Sequence, residues 1–160
     1  MKRFMLAAVA AAAFVPGAVA APPGQAPVGV AGTYTVTDFG TTDCAPVHGS
    51  PSLLRCDTTG FVSDYSGSLT GTSTASFTEI IDCAAGRAEG HGIETFTGSV
   101  AGFGGGTLTW AIQFSSGFDC TTAAVFHFQG RGVIRSGTGD LAHVRGQLDF
   151  TETTYQGELR

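Results

Sequence analysis

Glu94 stands in the run Gly92-Ile93-Glu94-Thr95-Phe96, a single carboxylate among apolar and small neighbours, with Phe96 on its own strand face. Inside an apolar cavity such a group loses its hydration and its pKa rises, which suits general acid or base work. Turned outward it would be a solvated Glu, or one paired with an Arg of the next strand. His127 sits between Phe126 and Phe128 and alternates with Gln129 and Arg131. If that face points inward, His127 and Gln129 become ligand contacts and Arg131 can steer charge or protons beside Glu94. If it points outward, all three are ordinary surface. Arg145 and Asp149 share one strand face, where they could line a mouth or pair across strands. Trp110 belongs to the apolar alternation Leu108, Trp110, Ile112, Phe114 and would line a ligand space within it. Asp64 and Asp82 read as surface or turn residues.

Several chemistries find no support in the spacing. Gly102 to Gly106 is Gly-rich but lies in no strand-to-helix context, so it reads as a hairpin turn and not a phosphate loop. No G-x-S-x-G elbow is present, and Ser115-Ser116-Gly117 has no positioned His/Asp partner. Glycosidase chemistry by two carboxylates depends on a separation in space that the sequence does not give. Cys44, Cys56, Cys83 and Cys120 show no C-x-x-C spacing, and neither His48 nor His91 stands in an H-x-x-x-H pattern, so no metal site is expected. No cofactor is implied.

The four cysteines instead read as two disulfides in an exported chain. Of the three possible pairings, Cys44–Cys56 with Cys83–Cys120 is favoured, because the first closes a short loop between strand-like runs through Pro46, Gly49 and Pro51. Export is read from the first twenty residues. Lys2 and Arg3 precede an unbroken apolar run from Phe4 to Val15, then Pro16-Gly17 and the cleavage pattern Ala18-Val19-Ala20. That is a secretory signal peptide. The apolar run would span only about 18 Å as a helix, short of the roughly 30 Å core of a bilayer, so a membrane anchor is not expected.

Of the 160 residues, 24 are Gly and only 13% are charged. Lys+Arg 8 against Asp+Glu 13 gives a net charge of −5, and removing Lys2 and Arg3 takes it to −7. A basic nucleic-acid binder is thereby excluded. The Pro-rich stretch 21–29 reads as an extended linker, and 30–160 as one domain. Within it, Thr-, Val- and Phe-rich alternating runs are punctuated by Gly, and no helical period lasts beyond a turn. The runs are Val30–Phe39, Thr58–Tyr65, Leu69–Ile81, Glu89–Val100, Thr107–Phe114, Ala124–Arg135, Leu141–Thr151 and Tyr155–Leu159. Their hairpin spacing predicts an all-β antiparallel architecture. Gly98, Gly130, Gly132 and Gly146 within the runs favour a closed eight-stranded barrel over a sandwich, since tightly coiled strands use Gly at bulges and corners.

Two segments carry a resemblance: Gly92-Ile93-Glu94-Thr95-Phe96-Thr97-Gly98, and Ser136-Gly137-Thr138-Gly139-Asp140-Leu141-Ala142-His143-Val144-Arg145-Gly146. Together they resemble the DUF3224 group of small bacterial proteins. The second is also similar to the G-G-T-G-x-F-x-x-A-R-G stretch of plant dirigent proteins, except that His143-Val144 departs from that pattern before Arg145. The resemblance spans about Thr70 to Leu159 and implies an allene oxide cyclase-like barrel, in which polar residues within an apolar interior serve catalysis or orientation. It also implies association as dimers or trimers. From the residues alone, Gly137 and Gly139 bracketing Thr138 serve the shape of a tight turn.

Three functions follow as expectations. The first is a secreted barrel that binds a small, mostly apolar molecule. The second is a cofactor-free cyclase or isomerase using Glu94 and Arg131. The third is a structural or interaction module with a solid interior. An interior space above about 300 Å³ separates the first two from the third.

Overall fold

The structure is a computed structural model that describes residues 26–160. The expected signal peptide at 1–20 and the start of the expected linker lie outside the described residues. The fold is a single antiparallel sheet of nine strands: β1 (Val28–Asp38), β2 (Thr41–Pro46), β3 (Leu53–Gly67), β4 (Leu69–Asp82), β5 (Arg87–Val100), β6 (Gly104–Asp119), β7 (Ala124–Gly139), β8 (Gly146–Phe150) and β9 (Thr154–Leu159). Among the described residues only a 3-10 turn at Val47–Gly49 is helical. No helix among the described residues is long and apolar enough to cross a membrane.

Sequence neighbours pair from β2 through to β9, and β1 lies between β9 and β3. The reason is the length of β3. Its first half, Leu54 to Thr59, pairs with β2, and its second half, Val62 to Gly67, pairs with β1. Two short strands therefore lie end to end along one edge of a long one. Gly40 makes the link between them in a left-handed conformation (φ 67°), where a Cβ would press on the Thr59 carbonyl oxygen at 2.2 Å.

The sequence runs place eight strands, and β2 is the ninth. It was expected as part of a disulfide loop. The loop is in fact a paired ladder in which Cys44 stands opposite Cys56, bonded as expected, with Cys83 bonded to Cys120. β1 starts at Val28, within the expected linker, because Val28 pairs with Leu159. The run Leu141–Thr151 is not one strand. Leu141 and Val144 are buried in successive turns, and β8 begins only at Gly146. The tight turn expected at Gly137–Gly139 lies further on, at residues 140–143: Gly137, Thr138 and Gly139 are the last residues of β7 and pair with Leu108, Thr107 and Gly106, and Gly137 is needed because a Cβ there would meet the Leu141 carbonyl oxygen at 2.2 Å.

Alternate side chains point to one side and build the core. Leu108, Trp110 and Ile112 of β6 pack with Phe96 and Val100 of β5, Leu69 of β4, Ile134 of β7, Leu148 and Phe150 of β8, and Tyr155 and Leu159 of β9. Burying each such side chain stabilises the fold by about 1.5–3 kcal/mol. A second, much smaller cluster of Cys56, Ile81 and Ala88 lies towards the disulfides. Glycines make room for the largest rings. A Cβ on Gly132 would sit 2.8 Å from Trp110 Cδ1 and 3.1 Å from Phe150 Cε2. The Trp110 ring has nowhere to go, since it is fully buried and its indole N–H is bonded to Glu94. Gly132→Ala is therefore expected to cost about 1–3 kcal/mol, as overpacking of a filled core does. Denaturant unfolding followed by the chain's one tryptophan measures the loss; a midpoint equal to the parent's would contradict this packing.

Candidate functional site

Between the two clusters lies a pocket of about 370 Å³ that opens towards solvent, where the exposed Phe39 and Val125 line it. Aromatic contacts link the phenylalanines beside it: Phe61 meets Phe77 edge-to-face at 5.5 Å between ring centres, Phe77 meets Phe114 edge-to-face at 5.4 Å, and Phe114 lies 5.7 Å from Phe128 with the rings tilted by 32°. Phe114 reaches this position because Gly90 opposite it is bare; a Cβ there would lie 2.2 Å from the Phe114 ring. Tyr34 stacks on Tyr65 at 5.8 Å and closes the other wall.

Glu94 forms the floor. It faces Ala75 across β4 and Trp110 across β6, and only 6% of its surface is exposed. Its carboxylate is fully engaged by neutral donors. The Tyr65 hydroxyl donates to Oε1 at 2.8 Å, the Ser73 hydroxyl to Oε1 at 2.5 Å, and the Trp110 indole N–H to Oε2 at 3.0 Å. Burial raises the pKa of Glu94 above its ordinary value, and the three hydrogen bonds oppose that rise. Burial raises the Tyr65 phenol as well, with the Glu94 charge adding to it, and the Tyr34 phenol is raised by the same two causes and by Glu152. Glu79 also lines the space, and burial raises its carboxyl.

The inward reading of Glu94 is the one the structure shows. For the polar strip the structure shows the other face. His127, Gln129 and Arg131 are exposed, while Phe128, Gly130, Gly132 and Ile134 of the same strand face in. Arg131 stands opposite Asp149 and donates to it from Nε at 2.8 Å on the outer surface. The structure thus brings Glu94 and Arg131 to opposite faces of the sheet. Asp149 pairs across strands with Arg131 and not with Arg145, which is exposed and donates to the carbonyls of Val144 and Ala142. Trp110 lies beneath the floor, in contact with Glu94 and outside the lining of the space. Phe126, expected on the Phe128 face, is 43% exposed, because His127 between them takes a left-handed conformation (φ 52°) that breaks the alternation.

Sequence reasoning missed Ser73, Tyr65, Tyr34 and Glu79. The signal for two of them was present: in β4, Ser73 and Glu79 share parity with the apolar Leu69, Ala75, Phe77 and Ile81.

A family model matches residues 30–159, under the description "Protein of unknown function (DUF3224)". The chain belongs to the DUF3224 family. A crystal structure of a protein of unknown function from the same family, from Shewanella oneidensis MR-1, shares the fold at a TM-score of 0.56 and 13% identity. The likeness covers 84% of this chain and 96% of that one. No curated protein matches this DUF3224 chain. Among the described residues no three His, Cys, Asp or Glu side chains are grouped to hold a metal ion.

The pKa of Glu94 gives the sign of a pH effect. A carboxyl whose pKa is higher in the folded than in the unfolded chain holds its proton more tightly when folded. Its stabilising contribution is fully present below the ordinary value of 4.5 and is lost as pH rises through the folded value. Glu94→Gln removes that titration and can still satisfy the donors, since both hydroxyls can rotate to accept from the amide. The melting temperature of the parent relative to Glu94→Gln should be highest below pH 4.5, fall as pH rises above it, and level off once pH passes the raised folded value. Parallel curves over that range would contradict the assignment. Glu94→Ala, which strands the indole N–H, should cost at least about 1–3 kcal/mol at any pH in the same series.

Proposed function

We propose that this chain is a secreted protein, released from its leader near Ala20, whose sheet closes as an eight-stranded barrel of the allene oxide cyclase-like kind and binds a small, mostly apolar molecule. The hydrogen-bonding of β1 to both β3 and β9 supports closure, with β2 extending β1 along β3. The observation that carries the function is the pocket of about 370 Å³, walled by aromatic rings and floored by one hydrogen-bonded carboxylate. Small-molecule sites have this composition: mostly apolar walls with a few placed polar groups. A module with a solid interior would have filled this space with side chains. Two disulfides suit an oxidising compartment.

A second reading, a cofactor-free cyclase or isomerase, has one observation in its favour. The Glu94 carboxyl is buried, its pKa is raised, and it borders the space a substrate would fill. In that reading Glu94→Gln abolishes turnover while leaving the fold intact.

Ala75 borders the space directly opposite Glu94, so a larger side chain there occupies the space without touching the outer surface. The neutral probe N-phenyl-1-naphthylamine should brighten on binding the parent chain and stay dark with Ala75→Leu, at unchanged melting temperature within a few degrees. Native mass spectrometry of the protein from its own culture medium gives the second readout. No brightening together with no co-purifying molecule would overturn the binding reading.

A further inference from the structure

The charge around the interior space has one sign. Glu94 lies at its floor, Glu79 on its wall and Glu152 among its lining, and no Arg, Lys or His lines it. The chain's own cations face elsewhere: every Arg and His among the described residues is exposed. Three of those arginines are paired on the outer surface, Arg55 with Asp57, Arg87 with Glu89 and Arg131 with Asp149. The three donors to Glu94 are all neutral. Among the described residues none donates a hydrogen bond or forms an ion pair with Glu79, although it occupies an inward position on β4 between Phe77 and Ile81.

An occupant of this space therefore meets carboxylates and the negative faces of Phe and Tyr rings. An anion would be repelled by both. A neutral apolar molecule would strip water from Glu79 and leave it unpaired, which is costly. A cation would be attracted by the carboxylate and by the ring faces together.

We infer that the molecule bound here is an apolar amine: a hydrophobic, ring-containing body bearing one ammonium group that pairs with Glu79. The inference rests on the binding reading above and deepens it. Glu79 lies four residues along β4 from Ala75, the partner of Glu94, or about 13 Å of strand. The ammonium sits at Glu79, and the body lies among Phe61, Phe77, Phe114 and Tyr34 above the Glu94 floor.

The test uses three probes with one body and three charges: 1-naphthylmethylamine, 1-naphthylmethanol and 1-naphthoate. Each is titrated calorimetrically at pH 7 into the intact disulfide-bonded chain, and into Glu79→Gln, Glu79→Asp and Ala75→Leu. The amine is expected to bind at least tenfold more tightly than the alcohol, and the naphthoate more weakly than either. Glu79→Gln should bring the amine to the affinity of the alcohol without weakening the alcohol. Glu79→Asp, which keeps the charge, should retain part of the preference, so a folding defect in the Gln variant does not imitate the result. Ala75→Leu should abolish binding of all three. Equal affinities for amine and alcohol, or naphthoate tightest, with Ala75→Leu still abolishing binding, would overturn the amine inference and leave the binding reading standing. Amine binding that survives Ala75→Leu would place the attraction at surface acids, and an amine preference over the alcohol that survives Glu79→Gln would place it at Glu94 or Glu152; either overturns the inference. Failure of every probe to bind the parent chain would overturn both readings.

Discussion

The buried Glu94 carboxylate constrains the strands around it. A charge or acid with almost no access to water is tolerated only when its lone pairs are filled. Here the donors come from three different strands: Tyr65 from β3, Ser73 from β4 and Trp110 from β6. Satisfying them fixes the register of four neighbouring strands at one level of the sheet. It also fixes the large ring of Trp110, on which Phe96 and Phe150 pack at 6.4 and 6.2 Å between ring centres. The apolar core and the polar floor therefore share one anchoring residue.

The aromatic wall above that floor depends on what β5 and β7 leave out. At Gly90 the bare backbone is where the ring of Phe114 in the wall lies, and at Gly132 it is where the ring of Trp110 lies beneath the floor. Glycine weakens a strand through its backbone freedom, and a ring packed over it restores the lost contact. Phe114 thus lies over Gly90 at the edge of the space. Substituting larger residues for these glycines would push the rings inward.

The outline of the fold was legible because the alternation in β6 is strict: Leu108, Trp110 and Ile112 are inside as their period requires. The cysteine pairing was legible from loop size. β2 was not, because every one of its residues is exposed and its Thr, Asp and Pro carry no apolar period. β2 forms because β3 is long enough to offer an edge beyond the end of β1. Which side of β7 points inward was left undecided by the sequence, and the structure takes the outward alternative for His127, Gln129 and Arg131. Three polar residues on one face suggest a site, yet a carboxylate, Asp149, one strand away was enough to make Arg131 an ordinary surface ion pair. Glu94 was legible through its apolar neighbours. Its partners were not, since Tyr65 and Ser73 are more than twenty residues away and meet it only through the strand register.

The distribution of core and disulfides follows from the same hollow. An interior space removes packing contacts that a solid core would supply, at about 20 cal/mol for each Å² of its apolar wall. The sheet compensates unevenly. Below Glu94 the main cluster is dense and contains no cysteine. Beyond Glu79 only Ile81, Ala88 and Cys56 are buried together, and both disulfides are found at this end. Cys56 stands directly opposite Glu79, so the first disulfide ties β2 to β3 at the level of the unpaired carboxylate. The second joins the β4–β5 turn to the β6–β7 turn, across the strands that carry Glu79, Gly90 and Phe114. Covalent links reduce the entropy of the unfolded chain without filling any volume. They can therefore stabilise this end of the sheet and still leave the space beside it open.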